Sequence, residues 1–359
     1  VRISLRDYFE SFSDLGLATC FFAMLLVMSG CSTGRVNPLG QSLDQSSAVA
    51  PGLVEKFAVG LADDTMSDAA VTAEVQKEIK AHGPIKDKKK LKLISKTKLS
   101  SKVVKLPPEF VFPDRRIPNE QPIWIGEKAV YEVTYLGAAA GTLEMTVLPF
   151  KKVMQRKVYH LVGHARTNSI VSSILYRVDD RLTSYMDYTG LFSHRYEMKR
   201  DETKLTRESL ELFDHAKGEE FYGFQQNHIK HGFEEGKEMK PIARFAQDSF
   251  SALFYLRFLP LEVGKVFTFP VVSEGKSWDA SAEVLRVERA DTPFGVRDCF
   301  VVKPETRYQG AAQQKRGASY LWITKDDRRV IVRVEAKVKI GTVIADLKSF
   351  EPGTKPKDE

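Results

Sequence analysis

From Trp124 to Leu347 apolar residues recur at every second position in run after run, and that period commits the region to β-strands. Residues 330–340 show it most clearly. Val330, Val332, Val334, Ala336, Val338 and Ile340 share one face, and Arg333, Glu335, Lys337 and Lys339 share the other. Such a strand buries one face and wets the other. Similar runs occupy residues 129–136, 142–148, 158–166, 191–199, 205–213, 266–272, 278–287 and 296–303. Short links part them, among them the small-residue stretch 137–141 and the turn 273–276. No long helices alternate with these strands, which argues against a parallel α/β sheet.

One segment breaks the pattern. Residues 248–259 read as a helix, with Asp248 or Ser249 as N-cap and Pro260 just beyond the end. Phe250, Leu253, Phe254, Leu256, Phe258 and Leu259 cover nearly its whole circumference, so it must be buried on most sides. The expected fold is mainly β: an antiparallel barrel or strongly curved half-barrel around one buried apolar helix, preceded by a disordered tether. Arg257 is the only charge inside the helix and must find a carboxylate or reach water. Asp248 and Glu262 are the nearest partners in sequence. The structural reading of Arg257 is a buried ion pair fixing the helix. The functional one makes Arg257, Phe254 and Phe250 a ligand site, the arginine holding an acidic head group in an apolar cavity.

The N-terminal third is different in kind. Arg2 and Arg6 precede an apolar stretch at residues 15–27, and small residues lead to Cys31, as in a secretory signal. The ending 25–31 resembles a bacterial lipobox, which implies lipidation of Cys31 by acyl groups such as palmitate. Residues 1–30 are then the signal, 31–118 a low-complexity tether, 119–353 the folded domain and 354–359 a polar tail. A weak helix is expected over residues 67–81. Between Lys77 and Lys105 eleven lysines face only Glu78 and Asp87, so the net charge of +7 belongs to this segment alone. The tract suits an anionic envelope polymer or lipid, or a spacer extended by self-repulsion. Basicity confined to a tether does not make a nucleic-acid surface.

Signatures of catalysis are weak. The motifs G-x-S-x-G and H-E-x-x-H and the P-loop do not occur. His160 with His164, and His228 with His231, have spacings that could begin a metal site but lack partners at motif distance. Asp179-Asp180 and Asp326-Asp327 read as turn or strand-end acids rather than a catalytic pair. Cys299, the only cysteine beyond Cys20 and Cys31, reads as a buried small hydrophobe. No catalytic residue, metal or cofactor is assigned.

Three stretches together resemble one bacterial family, domain of unknown function 3108. They are residues 126–131 with Tyr135, Leu136, Gly137 and Gly141; residues 247–257 continuing through 260–264; and Leu321, Trp322, Ile323 and Thr324 with residues 326–330. The resemblance spans roughly residues 122–350. It implies an exported, β-rich domain and supplies no activity or catalytic residues. The reading that results is a non-enzymatic envelope lipoprotein, anchored by Cys31 and expected at the outer membrane facing the periplasm because Ser32 rather than aspartate follows the cysteine. Its barrel would hold an apolar ligand such as a lipid or acyl chain. The alternative is an interaction scaffold in envelope or cell-wall assembly, with an enzyme a distant third.

Overall fold

A computed structural model describes residues 39, 43, 49–62, 111–113, 121–174, 176–308, 318–338 and 341–356. The signal, Cys31, the segment 67–81 and the lysine tract lie outside these residues. The strands are β1 (Gly60–Leu61), β2 (Lys128–Tyr135), β3 (Ala138–Val153), β4 (Arg156–Thr167), β5 (Asp179–Asp187), β6 (Ser193–Asp201), β7 (Leu205–Asp214) and β8 (Glu219–His228). They continue as β9 (Gly232–Pro241), β10 (Gln247–Asp248), β11 (Val266–Ser273), β12 (Lys276–Ala290), β13 (Arg297–Tyr308), β14 (Ser319–Thr324), β15 (Ile331–Lys337) and β16 (Thr342–Glu351). Among the described residues three short helices join them: α1 (Pro51–Lys56), α2 (Ser169–Ile174) and α3 (Ser251–Leu256).

All sixteen strands form one sheet, in the order β10 to β16 followed by β2 to β9, with β1 laid against β3. Only β10 runs parallel to its neighbour, β11. The alternation predicted for residues 330–340 holds in β15: Val332, Val334 and Ala336 are buried, while Arg333, Glu335 and Lys337 are not. Two-residue turns set the hairpins. Leu136-Gly137 and Glu274-Gly275 have positive φ at both positions, the conformation that matches strand twist. The turn after β2 is therefore tighter than the small-residue stretch suggested, and Ala138 already belongs to β3.

The sheet curls without closing. Its two ends, β9 and β10, are successive in the chain yet are not paired with each other. α3 sits in the concavity. Phe250 lies against Gly163 of β4, while Leu253 and Leu256 line a small cavity with Phe269 of β11, Ala282 of β12 and Leu321 of β14. The helix is shorter than the sequence suggested. After Leu256 the turns tighten, with Arg257, Phe258 and Leu259 N–H groups donating to the carbonyls three residues back. Gly163 is where the fit is closest: a Cβ there would lie 3.1 Å from the Phe250 ring and 3.3 Å from Leu182. Gly163→Ala should therefore destabilise the fold by about 1–2 kcal/mol, read as a lower urea midpoint. An unchanged midpoint would mean that the Phe250 ring has room to give.

The tether is corrected at one place. Residues 49–62 lie on the outer face of the sheet. β1 pairs with β3 through Gly60 and Leu61. Leu43, Val49 and Phe57 are buried against Val153, Val158, Leu210, Leu212 and Phe221. Lys56 pairs with Asp214, and the Leu43 N–H donates to Glu208 at 2.9 Å. This apolar cover sets which way β7 faces. Leu210 and Leu212 face outward beneath it, so Glu211 and Ser209 face the interior.

Candidate functional site

Arg257 ends α3 with its guanidinium 2% exposed, inside an apolar shell where a lone charge is costly. Its partner is Glu127, just before β2, rather than Asp248 or Glu262. Nη1 donates to Glu127 Oε1 at 2.5 Å, and Nη2 to Oε2 at 3.0 Å. Nη2 also reaches the Pro122 and Arg328 carbonyls at 2.6 and 3.0 Å. Arg328, in the turn between β14 and β15, shares Glu127 Oε2 at 2.6 Å and stacks 3.7 Å from the Trp124 ring. Arg329 Nη1 donates to the Arg257 and Leu259 carbonyls. Three segments distant in sequence, at residues 122–127, 257–259 and 328–329, are thus held by one carboxylate between two guanidiniums. Glu127, Arg257, Arg328 and Arg329 fall within the three stretches that carry the family resemblance.

Asp248 fixes the other end of α3. Oδ1 accepts the Phe250 and Ser251 N–H groups, each at 2.7 Å, and Oδ2 accepts the Ser184 and Ser193 hydroxyls at 2.5 and 2.6 Å. The expected cap is real, but it closes a turn before the helix rather than the helix itself. Phe250 and Phe254 are fully buried and meet edge to face at 5.3 Å. The cavity beside α3 measures about 10 Å³. That is the space of one water molecule, roughly 10–15 Å³. Arg257, Phe254 and Phe250 therefore come together as core and pin.

A second constellation was not foreseen. The inner face of β5–β8 carries a polar patch beside Leu182, Met186, Met198 and Phe213. Ser184, Tyr196, Glu211 and Tyr222 form one cross-strand row. Asp180, Arg200, Glu202, Arg207, Ser209 and Glu220 surround it. The β11–β12 hairpin folds over them: the Glu274 N–H donates to Glu211 Oε1 at 2.7 Å, and Arg200 lies 3.9 Å from Glu274. Tyr176 donates to Glu202 at 2.6 Å, and Arg207 to the Tyr222 hydroxyl at 2.5 Å.

Counting Asp248 and Glu274, six carboxyls here face two guanidiniums, and burial decides which ionise. It pushes Glu220 up to about 8 and drives Asp180 and Glu211 well above the carboxylate range. Glu202 and Asp248 are raised for the same reason. Burial also opposes the Glu274 charge, but Arg200, Arg207 and Lys276 outweigh it and hold that carboxyl low. Among the described residues, Glu220 and Glu211 Oε2 have no hydrogen-bond partner beyond one another. The array can store protons. Among the described residues no group of three or more His, Cys, Asp or Glu is placed to hold a metal ion.

The remaining sequence candidates stay apart. His160 stacks on Tyr185, and His164 bonds Asp179 at 2.6 Å. His228 stacks on His231. Asp180 points inward while Asp179 meets His164, so the two acids do not share a cleft. Asp326 accepts the Thr324 hydroxyl and the Arg328 and Arg329 N–H groups, a turn role. Cys299 is buried, and burial lifts its thiol to about 11, away from nucleophilic use. Asp187 is consumed by Arg156, His194 and the N–H groups of Thr189 and Gly190.

A mainly β domain made of one curled, open sheet, with a charge-pinned helix in its hollow, is the class these features define. Residues 130–348 match the family described as protein of unknown function, DUF3108, and the chain belongs to that family. No curated protein matches it. Among solved structures, it is similar to a β-barrel-like protein of domain of unknown function DUF1849 from Brucella abortus. Identity there is 9%, with 64% of this chain and 98% of that one covered, at a TM-score of 0.41. A candidate lipoprotein of Parabacteroides distasonis gives 12% identity, 63% and 95% coverage and a TM-score of 0.30. A candidate exported protein with a YmcC-like fold from Bacteroides fragilis gives 17%, 67% and 100%, and 0.27.

Proposed function

We propose that this chain is an exported, lipid-anchored envelope protein whose packed β domain works as a non-catalytic interaction scaffold. One observation carries the choice of scaffold over carrier. Among the described residues α3 and its aromatic neighbours pack the hollow, and the cavity lined by Leu253, Leu256 and Phe269 holds about 10 Å³. An acyl chain has no room in that cavity, and Arg257, the cation at the end of the helix, already holds Glu127. The lipobox-like ending at Cys31 supports the anchor, and the lysines between Lys77 and Lys105 suit an anionic surface near it. An outer-membrane position facing the periplasm follows from Ser32 by analogy alone.

The test is native mass spectrometry with organic extraction on the full chain carrying Cys31→Ser, which removes the anchor itself. Residues 49–62 pack on the sheet, so they are kept. The expected result is release from the membrane fraction and a clean protein mass that takes up no added phospholipid or fatty acid. One bound lipid per chain would overturn the scaffold reading in favour of a carrier.

A further inference from the structure

β9 is an unusual edge. Ten residues long, it is paired among the described residues on its β8 side alone, and its residues are solvated on both faces. Phe233 and Met239 are 60% and 51% exposed on it. Opposite β8 they share the convex face with Glu235 and Lys237, because the concave face of β8 continues into Glu234, Gly236, Glu238 and Lys240. An open strand of this length is a template for another strand.

We propose that two copies of this chain pair edge to edge through β9, antiparallel, about a two-fold axis at Gly236. Such an axis sets residue Gly236 against its counterpart. On the convex face it then places Phe233 against the partner's Met239 and Glu235 against the partner's Lys237, each contact made twice. Cross-strand apolar and opposite-charge pairs are the stabilising units of a sheet, and a two-fold interface must be self-complementary in this way. Neighbouring symmetric registers fail. A shift one way sets Glu235 against Glu235, and a shift the other way Lys237 against Lys237. The charges that guard an edge against indiscriminate pairing here select one register. The concave face brings Glu234 toward the partner's Glu238, but Glu234 accepts a hydrogen bond from Gln226 at 2.7 Å and Glu238 pairs with Lys240 at 2.5 Å. The inference rests on the scaffold reading and names a second copy as one partner.

Light scattering on the full chain in mild detergent, after size-exclusion chromatography, tests it through charge exchange. The wild type should be a dimer. Glu235→Lys and Lys237→Glu should each weaken dimerisation roughly ten-fold or more, since each sets like charges opposite twice. An equimolar mixture of the two variants should recover the dimer, as lysines of one chain then face glutamates of the other. Both sites are exposed, and circular dichroism checks that each variant folds. A monomeric wild type, or single variants that remain dimeric, would overturn the pairing. Lipid uptake in the mass measurement would sink the scaffold reading whatever the oligomeric state, so the two failures are separable.

Discussion

Glu127→Ala should lower the unfolding free energy by about 3–5 kcal/mol, the cost of stranding a buried charge. It strands two, since Arg257 and Arg328 both rest on this carboxylate. Arg257→Met should cost clearly less. Glu127 keeps Arg328 at 2.6 Å, and the methionine offers apolar bulk to the shell around α3. The inequality is the informative part. A ligand anchor would make Arg257 the sensitive residue for function and leave Glu127 secondary. A pin makes the shared acid the most sensitive residue for stability. Urea unfolding of the two variants decides it, and equal losses would show that Glu127 does not hold both arginines.

Stability should fall as pH rises from 6.5 to about 8, with a slope of about 1.4 kcal/mol per pH unit for each proton retained. The sign follows from the buried carboxyls. Glu220 is lifted to about 8 from an ordinary value near 4.5, and Asp180, Glu202, Glu211 and Asp248 are also raised. In this window the folded chain keeps protons that the unfolded chain has released. Their stabilising effect is complete below the unfolded values and is lost as pH climbs through the folded ones. Groups facing the array are Arg200, Arg207, Tyr196 and Tyr222 on the sheet, Tyr176 before β5, and Glu274 with Lys276 on the hairpin. His160, held low at about 4 by burial, runs the other way, but only below about 6.5. Asp187 is held well below the carboxylate range despite burial, so its contribution is lost in strong acid. Glu220→Gln should flatten the slope by about one proton while preserving the fold. A profile that stays flat from pH 6.5 to 8.5 in the wild type would refute the stored protons.

The strands legible in the sequence were those with one dry and one wet face. β2, β3, β4, β12 and β15 alternate in this way, and the buried helix showed through its aromatic circumference. β5, β8 and β9 were not read, for two physical reasons. The inner residues of β5 and β8 include Asp180, Ser184, Glu220 and Tyr222, so polar side chains occupy the face that periodicity assigns to hydrophobes. β9 is solvated on both faces and has no period to find. The same inversion hid the acid array in β7, because Leu210 and Leu212 serve a cover made by Leu43, Val49 and Phe57, which composition placed in the tether. Arg257 was legible as a charge needing a partner. Which carboxylate answered it was not, since Glu127 lies 130 residues away.

The order of the sheet imposes an order on its making. β2 and β16, the first and last of its main strands to be synthesised, are neighbours in its middle, while successive elements β9 and β10 form its two ends. Every other pairing along the path can zip locally as the chain emerges. This one waits for the last strand, so the edge of β2 stays bare through most of biogenesis and is sealed in the final step. In the exported protein proposed above, the late stitch would divide transit from maturity.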